Sequence, residues 1–172
     1  MMLAITSNQH FLKRVVKMNK WIVPALLFIG FLAAVVWETS KLEKVMGAED
    51  YLNLGIEKGS LGLHEEAIDL FRKGLNENPN LVTAYLSLGN AYGNAKRYKE
   101  ALNAYKEGIQ LNRRHKDVPQ MEMNIAWISH TIHDDKTAIL FTKKAIQSFT
   151  DRNDYAGVAE AGIRLRMFQN KK

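Results

Sequence analysis

The chain has 172 residues, a formal net charge of +6, 47% apolar and 24% charged residues, and no cysteine. Such a length allows one ordinary domain plus a short appendage, and the composition is that of a folding chain rather than a disordered one. The lack of cysteine excludes a disulfide framework, a thiolate metal site, a lipid-modified N-terminal cysteine and a cysteine nucleophile.

Residues 1–20 read as a basic flank carrying Lys13, Arg14, Lys17 and Lys20, with Met18 as an alternative start. Residues 21–37, WIVPALLFIGFLAAVVW, then run without a charge from Trp21 to Trp37. At 1.5 Å per residue the run spans roughly 25 Å, the short end of what crosses a bilayer. Tryptophan at both ends suits the two interfaces, and Pro24 falls in the first turn, where its missing N–H costs little. Only Lys41 and Lys44 follow within a similar distance. This bias keeps the N-terminus cytoplasmic, so the expectation is an uncleaved transmembrane anchor in the lipid bilayer with everything after Trp37 exported. A cleaved signal is disfavoured because Val35-Val36-Trp37-Glu38 lacks small residues at the cleavage position. Gly30 and Ala34 have the spacing for helix pairing, which is compatible with a homodimer. Residues 38–47 read as a linker.

Beyond the linker the chain repeats itself. Tyr51-x-x-Leu54-Gly55 recurs as Tyr85-x-x-Leu88-Gly89, a displacement of 34 residues; Ala67 and Ala101, then Phe71 and Tyr105, are displaced equally. Spacings of three, four and seven inside each unit predict two amphipathic helices with a turn between them. Large residues fill the space between paired helices, while Gly55 with Ala67 and Gly89 with Ala101 let the backbones approach. A unit of this kind buries its apolar face only by stacking on neighbours. A worn third unit keeps Ala126, Ala138 and Ala145, displaced by 37 residues and with Thr142 at the aromatic position.

These motifs resemble the tetratricopeptide-repeat family, which implies an all-α solenoid of antiparallel helix pairs. Repeats are expected at 48–81, 82–115 and 119–152, with a capping helix at 153–168 presenting Glu160, Arg164 and Arg166 to solvent. Lys58 replaces an aromatic of the family pattern, and Arg113 replaces the closing proline that Pro79 supplies in the first unit.

The resemblance also implies a concave binding groove lined by first helices. By motif position it holds Leu52, Asn53 and Ile56, then Leu86, Asn90 and Asn94, then Met123, Trp127 and His130. Apolar and amide side chains in this mixture suit an extended or helical peptide. Leu52, Leu86, Gln120 and Asn124 stand where related grooves that clamp a terminal carboxylate carry Lys and Arg, which disfavours that ligand.

No catalytic constellation, cofactor motif or complete metal site emerges. His130-x-x-His133-Asp134-Asp135 has ligand-like spacing but falls at an expected turn and lacks a strong third ligand. Asp151-Arg152-Asn153-Asp154 starts like a calcium loop but puts Tyr155 and Ala156 where an oxygen and a glycine are needed, so it reads as a helix start. The basic run Arg113-Arg114-His115-Lys116 is too short, and too poor in aromatics, to predict nucleic-acid binding. The function expected is a membrane-tethered protein-interaction module, an adaptor or assembly factor for an envelope complex. The alternatives are a cytosol-facing membrane receptor and a charge-driven binder acting through residues 113–116.

Overall fold

The computed structural model describes residues 28–34 and 46–170, in two units, Met1–Met46 and Gly47–Lys172. In the first unit residues 28–34 are helical, with exposed side chains. The rest of the expected span 21–37, the flank 1–20 and most of the linker lie outside the described residues. Among the described residues no helix is long and apolar enough to cross a membrane.

The second unit consists of seven helices: α1 (Ala48–Ser60), α2 (His64–Glu77), α3 (Val82–Asn94), α4 (Tyr98–Leu111), α5 (Val118–Thr131), α6 (Asp135–Thr150) and α7 (Tyr155–Gln169). Each helix packs against its neighbours in the chain, and the first helices of successive pairs also meet, α1 with α3 and α3 with α5. The result is an all-helical solenoid of the tetratricopeptide-repeat type.

Close approach within a pair depends on an aromatic ring seated on a glycine. A Cβ at Gly55 would run into the Phe71 ring, and one at Gly89 into the Tyr105 ring. In the third pair both equivalents have changed together: Ala126 stands for the glycine, and Thr142 for the aromatic. Thr142 is fully buried, and its hydroxyl donates to the Ala138 carbonyl at 2.8 Å, which satisfies the only polar atom the exchange introduces. Between α6 and α7 the arrangement reverses, with the Phe149 ring on Gly157. Ala67, Ala101 and Ala138 are wholly buried, as close backbone contact demands.

Four turns share one geometry. Gly62, Lys96, His133 and Asn153 are left-handed, with φ of 77°, 60°, 65° and 56°. The N–H that follows each reaches back to a carbonyl five residues earlier: Leu63 to Lys58, Arg97 to Tyr92, Asp134 to Ser129 and Asp154 to Phe149, at 2.8–3.0 Å. These bonds absorb the orphan carbonyls at the helix ends. His133 is thus a turn residue. Asp134 and Asp154 cap α6 and α7, accepting from the N–H groups of Thr137 and Gly157 at 3.1 and 2.9 Å.

The connection between α4 and α5 (112–117) is longer than that between α2 and α3 (78–81). Both open on the same device, an Asn side chain accepting the N–H two residues on: Asn78 from Asn80, and Asn112 from Arg114. The longer one is tied down by Arg152, whose guanidinium donates to the carbonyls of Arg114, His115 and Ser148. Thr83 donates to Asp117 at 2.8 Å. The basic run 113–116 is therefore built into the fold through its backbone, while Arg113, Arg114 and Lys116 project outward. Charge also joins the pairs: Arg97 of the second bonds Glu65 of the first at 3.0 Å.

At the end of the solenoid Glu160 and Arg166 face solvent as expected, but apolar side chains are exposed beside them. Tyr155, Ile163 and Met167 are exposed along α7, whereas Arg164 is partly covered.

Two outcomes test this packing. Ala101→Trp should destabilise the domain by at least about 1–3 kcal/mol through overpacking. Gly89→Ala should also destabilise it, and adding Tyr105→Thr should cost less than the sum of the two single changes, because the third pair tolerates that combination. Strict additivity in chemical denaturation would show that ring and glycine do not act as a unit.

Candidate functional site

The first helices carry the inner face, and position within each helix decides which side chains remain free. Residues 56, 90 and 127 are equivalent in the three pairs. Ile56 and Trp127 are each 49% exposed, and Asn90 is exposed between them. Asn53 and Asn94 are exposed as well, and Leu86 is partly buried against the core.

Two expected groove residues, Leu52 and Met123, are buried instead. Leu52 is only 8% exposed and belongs to the main core, because its position turns into the seam between first helices. Met123 is 2% exposed, packed with Ala145, Ala161, Ile146 and Phe149, since α7 continues the stack beside α5. His130 is half-buried: its Nδ1 lies 2.7 Å from an Asp135 carboxylate oxygen, and its ring stacks 4.4 Å from Phe168. Among the described residues no group of three or more histidine or acidic side chains converges on a metal-sized centre.

The groove has a hydrogen-bonded centre. Tyr105 donates its hydroxyl to Asn90 Oδ1 at 2.8 Å; Asn124 Nδ2 donates to the same oxygen at 2.8 Å and approaches the Tyr105 hydroxyl at 3.3 Å. Gln120 in turn donates to Asn124 Oδ1 at 2.9 Å. With its oxygen accepting two bonds, Asn90 is oriented so that its amide N–H groups serve as the donors left for a ligand. Burial pushes the Tyr105 phenol far above the usual tyrosine range, with the Asn124 bond opposing, so Tyr105 stays a neutral donor at physiological pH.

Around this centre lies a cavity of about 510 Å³ lined by Asn90, Asn94, Tyr98, Asn124, Trp127 and Thr131 among others. A second, of about 160 Å³, adjoins it through Asn90 and Asn94 and reaches Ile56, Ser87 and His64. His64 Nδ1 is buried without a hydrogen-bond partner. At the other end the Arg164 guanidinium lies 5.5 Å from the Trp127 ring centroid, which steadies the indole while leaving it half-exposed.

Tyr105 and His64 were missed as groove residues by sequence reasoning. Tyr105 had a signal, since a tyrosine where the first unit has Phe71 brings a hydroxyl that needs a partner.

This geometry defines a class, a helical-repeat solenoid with an open, amide-centred concave groove. Tetratricopeptide repeats are found at residues 49–81 and 82–115 by family models of that description. No curated protein matches the chain significantly. Solved structures share the fold. PcrH, known from Pseudomonas aeruginosa, in complex with the chaperone binding region of PopD is 20% identical over 70% of this chain and 90% of its own, with a TM-score of 0.65. A type III secretion complex from Aeromonas hydrophila is 18% identical, covering 81% and 95%, with a TM-score of 0.67. The first repeat domain of Spaghetti (RPAP3), bound to the HSP90 peptide SRMEEVD, is 19% identical, covering 71% and 90%, with a TM-score of 0.61.

Tyr105→Phe should destabilise the domain by about 1 kcal/mol near neutral pH, the net worth of one hydrogen bond. The folded phenol titrates above its unfolded value of 10.0, so its stabilising contribution is complete below pH 10 and is lost as pH rises beyond it. The gap in melting temperature between wild type and variant should therefore narrow as pH rises above about 10. A constant gap would show that Tyr105 ionises as freely in the folded chain as in the unfolded one.

Proposed function

We propose that the repeat domain is a protein-interaction module whose concave face takes an extended or helical segment of another protein. The observation that carries this reading is the row Ile56, Asn90 and Trp127: apolar anchors at two ends and, between them, an amide oriented by Tyr105 and Asn124. A bound segment would lay apolar side chains against Ile56 and Trp127 and accept a hydrogen bond from Asn90 through a backbone carbonyl. Solved structures of this fold include complexes with a chaperone binding region and with a peptide, which accords with such use.

The module is, in this reading, tethered to a membrane through residues 21–37, with residues 38–172 on the exported side, as an adaptor or assembly factor of an envelope complex. The uncharged seventeen-residue run and the excess of basic residues before it support the tether.

Photo-crosslinking from position Asn94 in membranes should trap a partner, and Trp127→Ala should reduce the trapped product by more than about tenfold, as for an aromatic anchor. Because Trp127 is half-exposed, the variant should melt within a few degrees of wild type. Undiminished trapping would remove the groove from the mechanism. Full-length chain should remain in the pellet after alkaline carbonate extraction, and protease outside right-side-out vesicles should reach the repeats. Release into the supernatant would remove the anchor, and protection would favour the cytosol-facing receptor.

A further inference from the structure

Away from the concave groove, α4 and α6 stand apart over α5 and leave a cavity of about 370 Å³. Glu122 of α5 lines it, only 6% exposed, and its Oε2 is buried without a hydrogen-bond partner. An unpaired buried carboxylate oxygen costs stability, and the hydrogen bond from Ser148 with the charges of Lys144 and Arg152 offsets only part of the burial. Burial raises its pKa, with a hydrogen bond from Ser148 and the charges of Lys144 and Arg152 opposing.

The rest of the lining has a different character. Ile109 and Phe141 supply half-buried apolar surface. Lys106, Arg113 and Lys144 place three cations around it. Lys144 lies 4.6 Å from the Phe141 ring centroid, and neither Lys106 nor Arg113 forms an ion pair among the described residues.

We propose that this cavity is a second docking site, for an acidic–apolar peptide segment of a partner protein. An apolar side chain enters between Ile109 and Phe141, flanking carboxylates meet Lys106, Arg113 and Lys144, and a backbone N–H donates to Glu122 Oε2. Charge complementarity selects an acidic occupant, and Glu122 selects one that also carries N–H donors. A fully ionised phosphate brings acceptors alone and would face the carboxylate unfavourably, whereas a peptide presents carboxylates and amide N–H groups within one residue of each other.

The test uses the full-length chain and a fluorescein-labelled eight-residue peptide alternating leucine and glutamate, read by fluorescence anisotropy. Its leucine–glutamine counterpart should bind at least tenfold more weakly. Lys106→Gln with Arg113→Gln should weaken acidic-peptide binding and flatten its salt dependence. Glu122→Met should weaken binding about tenfold, the effect of losing a hydrogen bond to a charged acceptor. It should also hold or raise the melting temperature, because an unpaired buried oxygen is gone. Trp127→Ala should leave this binding unchanged, which separates the site from the concave groove.

Equal binding of the two peptides would overturn the proposal, as would wild-type binding by Glu122→Met. A lowered melting temperature for Glu122→Met would make the glutamate a structural residue and overturn its assigned role. Loss of binding in Trp127→Ala would move the peptide to the groove. Displacement by an oligothymidylate at concentrations equal to the unlabelled peptide would replace the peptide reading with a nucleic-acid one.

Discussion

The contact between an aromatic ring and the bare backbone of a glycine sets the spacing of the helix pairs, and the rest of the solenoid depends on that spacing. Phe71 on Gly55 and Tyr105 on Gly89 bring first and second helices together. The wholly buried Ala67 and Ala101 keep the same seam thin. Packed interiors tolerate neither a surplus methyl nor a void, so the two members of such a contact change together or not at all. The third pair illustrates this: losing the ring at Thr142 accompanies gaining a methyl at Ala126. Its threonine hydroxyl is then satisfied locally, by the Ala138 carbonyl.

A second consequence of the seam is functional. Tyr105 reaches the groove only because its ring passes over Gly89, and its hydroxyl emerges beside Asn90 and Asn124. One side chain thus acts as packing element and as the positioning group of the inner face. Burial holds its phenol neutral, so the network keeps its donor at any physiological pH. Stability of the second pair and order in the groove are consequently coupled, whereas Phe71 lines the smaller cavity without a hydroxyl to order it.

Glu122 shows the opposite economy. Burial disfavours its charge and one oxygen is unpaired, while Ser148, Lys144 and Arg152 oppose that cost and cations and apolar surface line the cavity beside it. Sites of binding commonly carry such local cost, and it is the mismatch with good packing that marks them. The concave face and this second cavity differ accordingly. One is amide and aromatic and nearly uncharged, while the other is basic with a buried acid.

The repeat was legible in the sequence because its period follows from chemistry at fixed offsets: Tyr51, Leu54 and Gly55 must recur wherever the same seam recurs, and displacement by 34 residues follows from Tyr85, Leu88 and Gly89. Helix pairing, turn placement and the worn third unit follow from the same offsets. What lies within reach of a ligand did not, because exposure depends on the neighbour each helix finds. Leu52 and Met123 share a motif position that looks free on an isolated helix; the seam between first helices closes over one, and α6 and α7 close over the other. Trp127 stays half-exposed because Arg164 of α7 lies against its ring instead of a second layer of helices. The sequence by itself determined the period, the helix pairs and the small residues at their contacts, since these are local and repeated. Only the tertiary structure decided which faces stay open, because burial is a property of the stack and not of the unit.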